Sequence, residues 1–194
     1  MKRMIGKSVL LGGIGVALVC ATGTTNAQQK VFTLSSTTFK DGSMLPVKAA
    51  NSKANAPNNA NCVGDNVSPQ LSWANPPDGT KSYVLLMEDP EGRGGAGVHH
   101  MVTYGIAPTI TGFAEGELSK PSDKYVGGIS TPKLAHYFGP CTPPGDWHHY
   151  TWTLIATDLD PKALQPGMTR EELLKALDGH AKGAAGLVMR FTHP

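Results

Sequence analysis

The sequence predicts a mostly β protein, and three observations lead to this prediction. The chain of 194 residues contains 23 Gly and 15 Pro, which favour frequent turns between short elements. Its apolar residues occur in short runs or alternate with polar ones, as they do in strands. One segment alone, which begins at Thr169, has the signals of an amphipathic helix. Because no internal repeat or linker divides the chain, we expect one main domain.

The first half of the chain contains three predicted strands and two loops. Residues 31–34 and 44–47 are short segments that favour strands. Residues 49–66 contain six Asn and no apolar periodicity, so we expect a surface loop. Residues 82–88 are apolar at five consecutive positions, which is typical of a buried strand. A glycine-rich loop, residues 92–97, follows this strand.

The second half contains three more predicted strands and the helix. Residues 98–106 and 149–158 alternate in polarity, as half-buried strands do. In the first of them one face should carry Val98, His100, Val102, Tyr104 and Ile106. The capping box Thr169-Arg170-Glu171-Glu172 predicts the start of the helix, which we expect to end at Gly183 or Gly186. Residues 187–191 are the last predicted strand.

The first 27 residues have the pattern of a secretory signal peptide. Basic residues precede an apolar run, residues 8–19, and small residues end the segment at Ala27. We expect cleavage after Ala27, so that residues 28–194 form the mature domain in the periplasm or outside the cell. A retained membrane anchor fits less well, because a bilayer span needs ~20 apolar residues. Lipid attachment at Cys20 is disfavoured, because the bulky Val19 stands where lipoprotein signals have a small residue.

The charge and cysteine content of the mature chain restrict its function. The signal segment holds three of the 17 basic residues and none of the 15 acidic ones, so the other 167 residues carry a net charge of −1. A near-neutral chain lacks the clustered Lys and Arg that nucleic-acid binding needs, and we expect no nucleic-acid partner. Cleavage also leaves two cysteines, Cys62 and Cys141, which in an oxidising compartment most simply form one disulfide.

Three polar side chains lie at the ends of apolar strands. Asp89 follows residues 82–88, His100 lies near the start of the next strand, and His148 precedes residues 149–158. If these strands pair, the three side chains meet at one sheet edge and form a pocket with apolar walls. A carboxylate raises the affinity of a nearby imidazole for a proton, so we expect imidazolium donors for a bound anion. The loop 139–145 could add backbone N–H donors.

Several segments of the chain are similar to the phosphatidylethanolamine-binding protein family, in particular to its bacterial Raf-kinase-inhibitor-like branch. The resemblance extends over residues 31–191. It rests on N-V-S-P-Q-L-S-W at residues 66–73, on E-D-P-E at 88–91 followed by His99-His100, and on Gly139-Pro140 through His148-His149-Tyr150.

This resemblance implies a fold and a set of site residues. The implied fold is a two-sheet, Greek-key-like β-sandwich with a short C-terminal helix and a small anion pocket at one sheet edge. The implied ligand is phosphate, a phosphorylated group or a phospholipid headgroup, with no cofactor and no metal. By motif match, the ligand-binding residues are Asp89, Glu91, His100, His148, Tyr150, Gly139 and Pro140.

The chain departs from the family pattern at three places. The family's D-P-D-x-P is D-P-E-G-R here, so Glu91 is longer than the usual acid and Arg93 stands in place of proline. The family's H-R-Y is His148-His149-Tyr150. The aromatic residue often found two positions before the pocket histidine is Val98, which leaves less aromatic surface for an ethanolamine cation.

Three classes of function fit these residues. We favour a binding or regulatory module without turnover, whose partners are a small anionic ligand and an unidentified protein. The second class is a hydrolase with Cys141 as nucleophile and His148 or His100 as base, which needs a free thiolate. The third is a metal site built from residues 99–100 and 148–149. Adjacent strand residues point to opposite faces, so only one histidine of each pair could reach a common ion.

Overall fold

The described part of the chain consists of two β-sheets and few helices, as predicted. The computed structural model describes residues 30–194, so the predicted signal peptide and its cleavage site lie outside the described residues. The strands are β1 (Thr33–Ser35), β2 (Ser43–Met44), β3 (Leu71–Ala74), β4 (Ser82–Asp89), β5 (Val98–Ile106), β6 (Gly112–Phe113), β7 (Val126–Gly127), β8 (His148–Thr157) and β9 (Ala181–Phe191). The helical elements are the 3-10 helices Val47–Ala49 and Glu117–Ser119, one helical turn α1 (Gly92–Gly95), and α2 (Arg170–Ala176).

The strands are divided between a small and a large sheet. The small sheet has the order β1-β3-β6, and the large sheet has the order β2-β9-β8-β4-β5-β7. All pairs within these sheets are antiparallel except β2 with β9. Strands β4, β5 and β8 are therefore neighbours at the centre of the large sheet, as the prediction of a common edge requires. Within residues 30–194, no helix is long and apolar enough to cross a membrane.

Both faces of the large sheet contribute buried side chains. One face packs against the small sheet, where Trp73 of β3 meets Tyr83 of β4 edge to face with ring centroids 5.4 Å apart. The other face packs against α2, whose Leu173 and Leu177 contact a cluster that includes Val84 of β4. The apolar run in β4 is explained by this double burial, because its successive side chains enter both clusters.

Helix α2 begins where the sequence predicts but ends earlier. Thr169 and Glu172 form the reciprocal capping box, which confirms the predicted start. The expected end at Gly183 or Gly186 is wrong, because Leu177 caps the helix and Gly179 reverses the chain with a φ of 76°. Both expected end positions lie in β9, which is longer than the predicted strand and pairs with almost all of β8.

Strand β5 does not keep the single face that its alternation predicts. Met101 and Ile106 enter the core shared with the small sheet, whereas Val102 and Tyr104 pack in the cluster beneath α2. The reason is that the pairing of β4 with β5 shifts register twice. One shift leaves His100 as an extra residue between two regularly paired neighbours, and such a bulge re-aims a side chain.

Candidate functional site

The polar ends of β4, β5 and β8 line one cavity of about 490 Å³. Side chains of these strands form its floor, α1 and the preceding turn form one wall, and the segment after Tyr137 forms the other. Of the seven residues predicted from the family resemblance, five line it, and these are Asp89, Glu91, His100, His148 and Tyr150. The structure therefore brings together side chains that are about sixty positions apart in the sequence.

Asp89 is the most heavily hydrogen-bonded residue of the floor. Its carboxylate is buried, and Oδ1 accepts the backbone N–H groups of Glu91 at 3.0 Å and Gly92 at 2.9 Å. Oδ2 lies 2.7 Å from Nδ1 of His148. Position 92 needs a glycine, because a Cβ there would lie 2.6 Å from a methyl carbon of Val98. Asp89 thus fixes both the turn after β4 and the orientation of His148.

His100 is buried beside Asp89 and is neutral near neutral pH. Burial lowers its pKa to about 4, and neither the hydrogen bond to Phe138 nor the charge of Asp89 offsets this effect. The expectation of an imidazolium at His100 is therefore wrong. Nδ1 lies 2.6 Å from the carbonyl oxygen of Phe138, which can only accept, so Nδ1 carries the hydrogen. Nε2 lies 4.0 Å from Oδ2 of Asp89.

Tyr150 connects the floor to the opposite wall. Its ring meets the ring of His100 edge to face at 5.1 Å, and its hydroxyl lies 2.7 Å from Oγ1 of Thr142. Burial raises the pKa of Tyr150, so the phenol keeps its proton. The negative charge of Asp89 also raises the pKa of Tyr150, which places the hydroxyl pair close to the carboxylate of the floor.

Glu91 and Arg93 lie near the mouth of the cavity. Glu91 contacts His149 through both carboxylate oxygens, accepting its N–H at 3.1 Å and facing its Nδ1 at 2.8 Å. Burial opposes ionisation, yet these hydrogen bonds lower the pKa of Glu91 overall. Arg93 is exposed, has a left-handed φ of 57°, and forms no hydrogen bond or ion pair with any described residue. Arg93 is therefore the cation at the mouth that has no protein partner within residues 30–194.

Gly139 and Pro140 lie behind the cavity wall, although the resemblance implies that they line it. The N–H of Gly139 donates to Oδ1 of Asn66, and the carbonyl of Pro140 accepts the N–H of Asn51. A Cβ at Gly139 would lie 2.3 Å from the carbonyl oxygen of Ala49, so the two backbones pack too closely for any side chain. These residues anchor the Asn-rich loop, residues 49–66, and the wall itself consists of their neighbours.

The cavity wall includes one half of a disulfide. Cys62 and Cys141 are bonded with an S–S distance of 2.05 Å, and Cys141 lines the cavity. The bond joins the Asn-rich loop to the wall. Because Cys141 is then not a thiolate, the hydrolase alternative lacks its nucleophile. The hydroxyls of Thr142 and Tyr150 bond to each other and not to a histidine.

The adjacent histidines do not form a common metal site. His99 and His149 point away from the floor, toward Glu88 and Glu91 respectively. Among residues 30–194, no group of three or more His, Cys, Asp or Glu is arranged to hold a metal ion. The alternation of adjacent strand residues explains why each pair is split between two faces.

Two contributors to the site were not found from the sequence. Thr142 supplies a hydroxyl next to Tyr150, and the carbonyl of Phe138 fixes the tautomer of His100. The sequence places both in the irregular segment before β8. The position of Cys141 could have drawn attention to Thr142, but nothing in the sequence indicates which carbonyl faces His100.

Comparison with known proteins identifies the family. The model of the family described as phosphatidylethanolamine-binding protein matches residues 35–192. The chain belongs to this family. It is 34% identical to the UPF0098 protein of Methanothermobacter thermautotrophicus, a match covering 74% of this chain and 95% of that protein. It is 37% identical to LppC of Mycobacterium tuberculosis, a candidate lipoprotein, over 82% of this chain and 71% of that protein.

Solved structures of the phosphatidylethanolamine-binding protein family share the fold. A homolog from Chlamydia trachomatis is 30% identical, with a TM-score of 0.70 over 84% of this chain and 98% of that one. YbcL of E. coli is 24% identical, with a TM-score of 0.71 over 83% of this chain and 98% of that one, and it supports the fold alone. Membership of the phosphatidylethanolamine-binding protein family indicates a protein that binds small ligands.

Proposed function

We propose that the protein is an exported binding or regulatory module whose cavity holds phosphate, a phosphorylated group or a phospholipid headgroup without turning it over. The observation that carries the proposal is the contact between Asp89 and His148 on the cavity floor, where Oδ2 lies 2.7 Å from Nδ1. This contact commits one ring nitrogen of His148 to the protein. The other nitrogen, Nε2, is left for a guest.

The donors around the floor suit a small oxyanion. Nδ1 of His148 faces Asp89, and Nε2 on the other side of the ring can take part in a hydrogen bond with the ligand. Arg93 adds a guanidinium at the mouth, and the paired hydroxyls of Thr142 and Tyr150 line the same cavity. Charge-assisted hydrogen bonds of this kind contribute about 1.5 to 3 kcal/mol each. A few of them are enough for weak to moderate affinity for a phosphate group.

We propose that the protein does not hydrolyse its ligand, because the thiol and hydroxyl groups of the cavity are already engaged. Cys141 is held in the disulfide, and the two hydroxyls that line the cavity bond to each other. A thiol or hydroxyl nucleophile is activated by a base within hydrogen-bond reach. Among the described residues that line the cavity, no thiol or hydroxyl forms a hydrogen bond with a histidine.

The proposal extends to domain boundaries and location. Residues 1–27 are proposed as a cleaved signal peptide and residues 28–194 as a Greek-key-like sandwich domain that is periplasmic or secreted. The disulfide supports export, because such bonds persist in oxidising compartments, and the candidate lipoprotein LppC is a relative. Fractionation of bacterial cells and mass determination of the purified protein test this, and an intact N-terminus in the cytoplasm would contradict it.

The binding site is tested by NMR titration with inorganic phosphate. In the unmodified protein, amide signals of the loop around Gly92 should shift with saturation. Asp89→Ala and His148→Ala should each weaken phosphate binding at least tenfold, because each removes one half of the floor contact. His180→Ala is the matched control, since His180 contacts Asp158 at the opposite end of β8 and should leave binding unchanged. Equal shift responses in all four proteins would refute the assignment.

A further inference from the structure

The floor of the cavity offers two hydrogen-bond acceptors that face each other. Oδ1 of Asp89 is occupied by two backbone N–H groups, whereas Oδ2 has one partner, His148. The carboxylate oxygen has a further lone pair, because an ionised carboxylate accepts at about four sites. Nε2 of His100 lies 4.0 Å from this oxygen, which is too far for a hydrogen bond between them.

The protein itself fixes His100 as an acceptor toward the cavity. Nδ1 must carry the ring hydrogen, because it lies 2.6 Å from the carbonyl oxygen of Phe138. Burial keeps the ring neutral, with a pKa of about 4, so Nε2 presents a lone pair at neutral pH. No described residue donates a hydrogen bond to this nitrogen. Nε2 of His100 therefore has no hydrogen from the protein, and it lies beside Oδ2 of Asp89, which faces Nδ1 of His148 and can accept one further hydrogen bond.

We infer that the cavity selects oxyanions that carry their own acidic hydrogen, namely phosphate and phosphomonoesters, and discriminates against sulfate and phosphodiesters. This inference rests on the proposed function and narrows it. A hydrogen phosphate donates its P–OH to Oδ2 of Asp89 or Nε2 of His100, while its other oxygens accept from His148 and Arg93. Sulfate and phosphodiesters have only acceptor oxygens. The lone pairs of Oδ2 of Asp89 and Nε2 of His100 therefore stay without a hydrogen bond or are repelled by the oxygens of the ligand. A binding site built to accept a hydrogen bond from its ligand strongly rejects analogues that lack the donor.

The ligands named in the proposed function differ in whether they carry a P–OH group. The phosphate of a phospholipid with an esterified headgroup is a diester and has no P–OH group. A phosphorylated metabolite and a phosphorylated side chain are monoesters, whose second pKa near 6 leaves part of the population protonated near neutral pH. Inorganic phosphate also keeps an acidic hydrogen there. The chemistry of the floor therefore favours the ligands that carry a P–OH group.

A panel of four small probes tests the selection on the unmodified protein. Inorganic phosphate, methyl phosphate, dimethyl phosphate and sulfate are titrated at pH 6.0 and constant ionic strength, with NMR shifts as the readout. Phosphate and methyl phosphate should bind at least fivefold more tightly than dimethyl phosphate and sulfate. If a probe without an acidic hydrogen binds within fivefold of phosphate, the inference is wrong and the proposed function survives. If none of the four probes binds, both are wrong.

A single substitution tests the physical cause. In Asp89→Asn, the amide oxygen should keep the two backbone N–H groups, so the NH₂ group replaces Oδ2 and turns an acceptor into a donor. The preference for phosphate over sulfate should fall to about twofold or less. A preference unchanged from the unmodified protein would overturn the inference, and the probe panel remains decisive if this variant does not fold. Tighter binding of ethanolamine than of phosphate would also overturn it, since an ammonium would then be the donor.

Discussion

The ends of β4 and β5 carry an acid and a histidine on each face of the large sheet, and the two pairs differ in what they leave unpaired. Inside, Asp89 and His100 line the cavity, and Nε2 of His100 has no partner among the described residues. Outside, Glu88 lies 3.0 Å from Nδ1 of His99 and also contacts the guanidinium of Arg170. Each pair consists of one acid and one histidine, and the two pairs are adjacent in the sequence.

The outer cluster, which consists of Glu88, His99, Arg170 and Glu171, pairs its charged groups with one another and lines no part of the cavity. The second ring nitrogen of His99 lies 3.3 Å from Glu171, so both nitrogens face carboxylates. Helix α2 supplies both Arg170 and Glu171. The capacity of a cluster to bind a ligand therefore depends on polar atoms that lack a protein partner and line a cavity, and not on the number of its charges.

Removal of the disulfide should have the largest effect and should act on the inner face. The bond links residues 79 positions apart, and the loss of that constraint in the double variant Cys62→Ser, Cys141→Ser should lower the free energy of unfolding by about 4 kcal/mol. Phosphate affinity should fall at least tenfold, because Cys141 is part of the cavity wall. Urea unfolding and NMR titration measure the two effects. Unchanged affinity in the folded variant would show that the wall does not need the bond.

Much of the site followed from sequence because strand alternation is a local rule. It placed the two histidines of each adjacent pair, 99–100 and 148–149, on opposite faces, and the pairing of neighbouring strands placed His148 near Asp89. The face of β5 could not be predicted in this way, since a bulge depends on how two distant strands align. The end of α2 was missed for a similar reason. Residues 181–186 are compatible with a helix, but pairing with β8 makes them a strand.

The charge of His100 shows a second limit of sequence reasoning. The sequence identifies the carboxylate next to this histidine, and a carboxylate alone would raise its pKa. The depth of burial and the carbonyl of Phe138 are set by tertiary packing, and burial has the larger effect. The sequence thus predicted which groups meet, and the balance between their effects depended on the fold.

The stability of the protein should depend on pH through His100. Its pKa in the folded state, about 4, is below its ordinary value of 6.5, so between these pH values the unfolded state binds more protons. Stability is therefore fully present above pH 6.5 and is lost as the pH falls to about 4, by up to about 3 kcal/mol. His100→Gln should reduce this loss, whereas His99→Gln on the outer face should retain it. Urea unfolding at pH 7.5, 5.5 and 4.5 checks this, and equal slopes in all three proteins would contradict it.

Changing each of the two arginines near these clusters to methionine should affect a different property, phosphate affinity for one and stability for the other. Arg93→Met removes the cation at the cavity mouth and should weaken phosphate binding about fivefold, with little change in stability. Arg170→Met leaves Glu88 without its cation and should lower the free energy of unfolding by about 1 kcal/mol, with phosphate affinity unchanged. For both variants, calorimetric titration measures phosphate affinity, and urea unfolding measures stability. A loss of affinity in Arg170→Met would show that the outer cluster supports the floor.

Glu171→Gln should have the smallest effect on stability. It tests whether the outer and inner faces of the large sheet act independently. Glu171 is mostly exposed and contributes one carboxylate to His99 and one negative charge to the first turn of α2. Exposed ion pairs and helix-dipole contacts are worth a few tenths of a kcal/mol each, so the variant should lose about 0.5 kcal/mol, and less in 1 M NaCl. Phosphate affinity should stay within twofold, because no atom of the cavity floor loses a partner. A larger change in affinity would mean that the position of His99 is transmitted through the bulge to His100, and the two faces would then form one site.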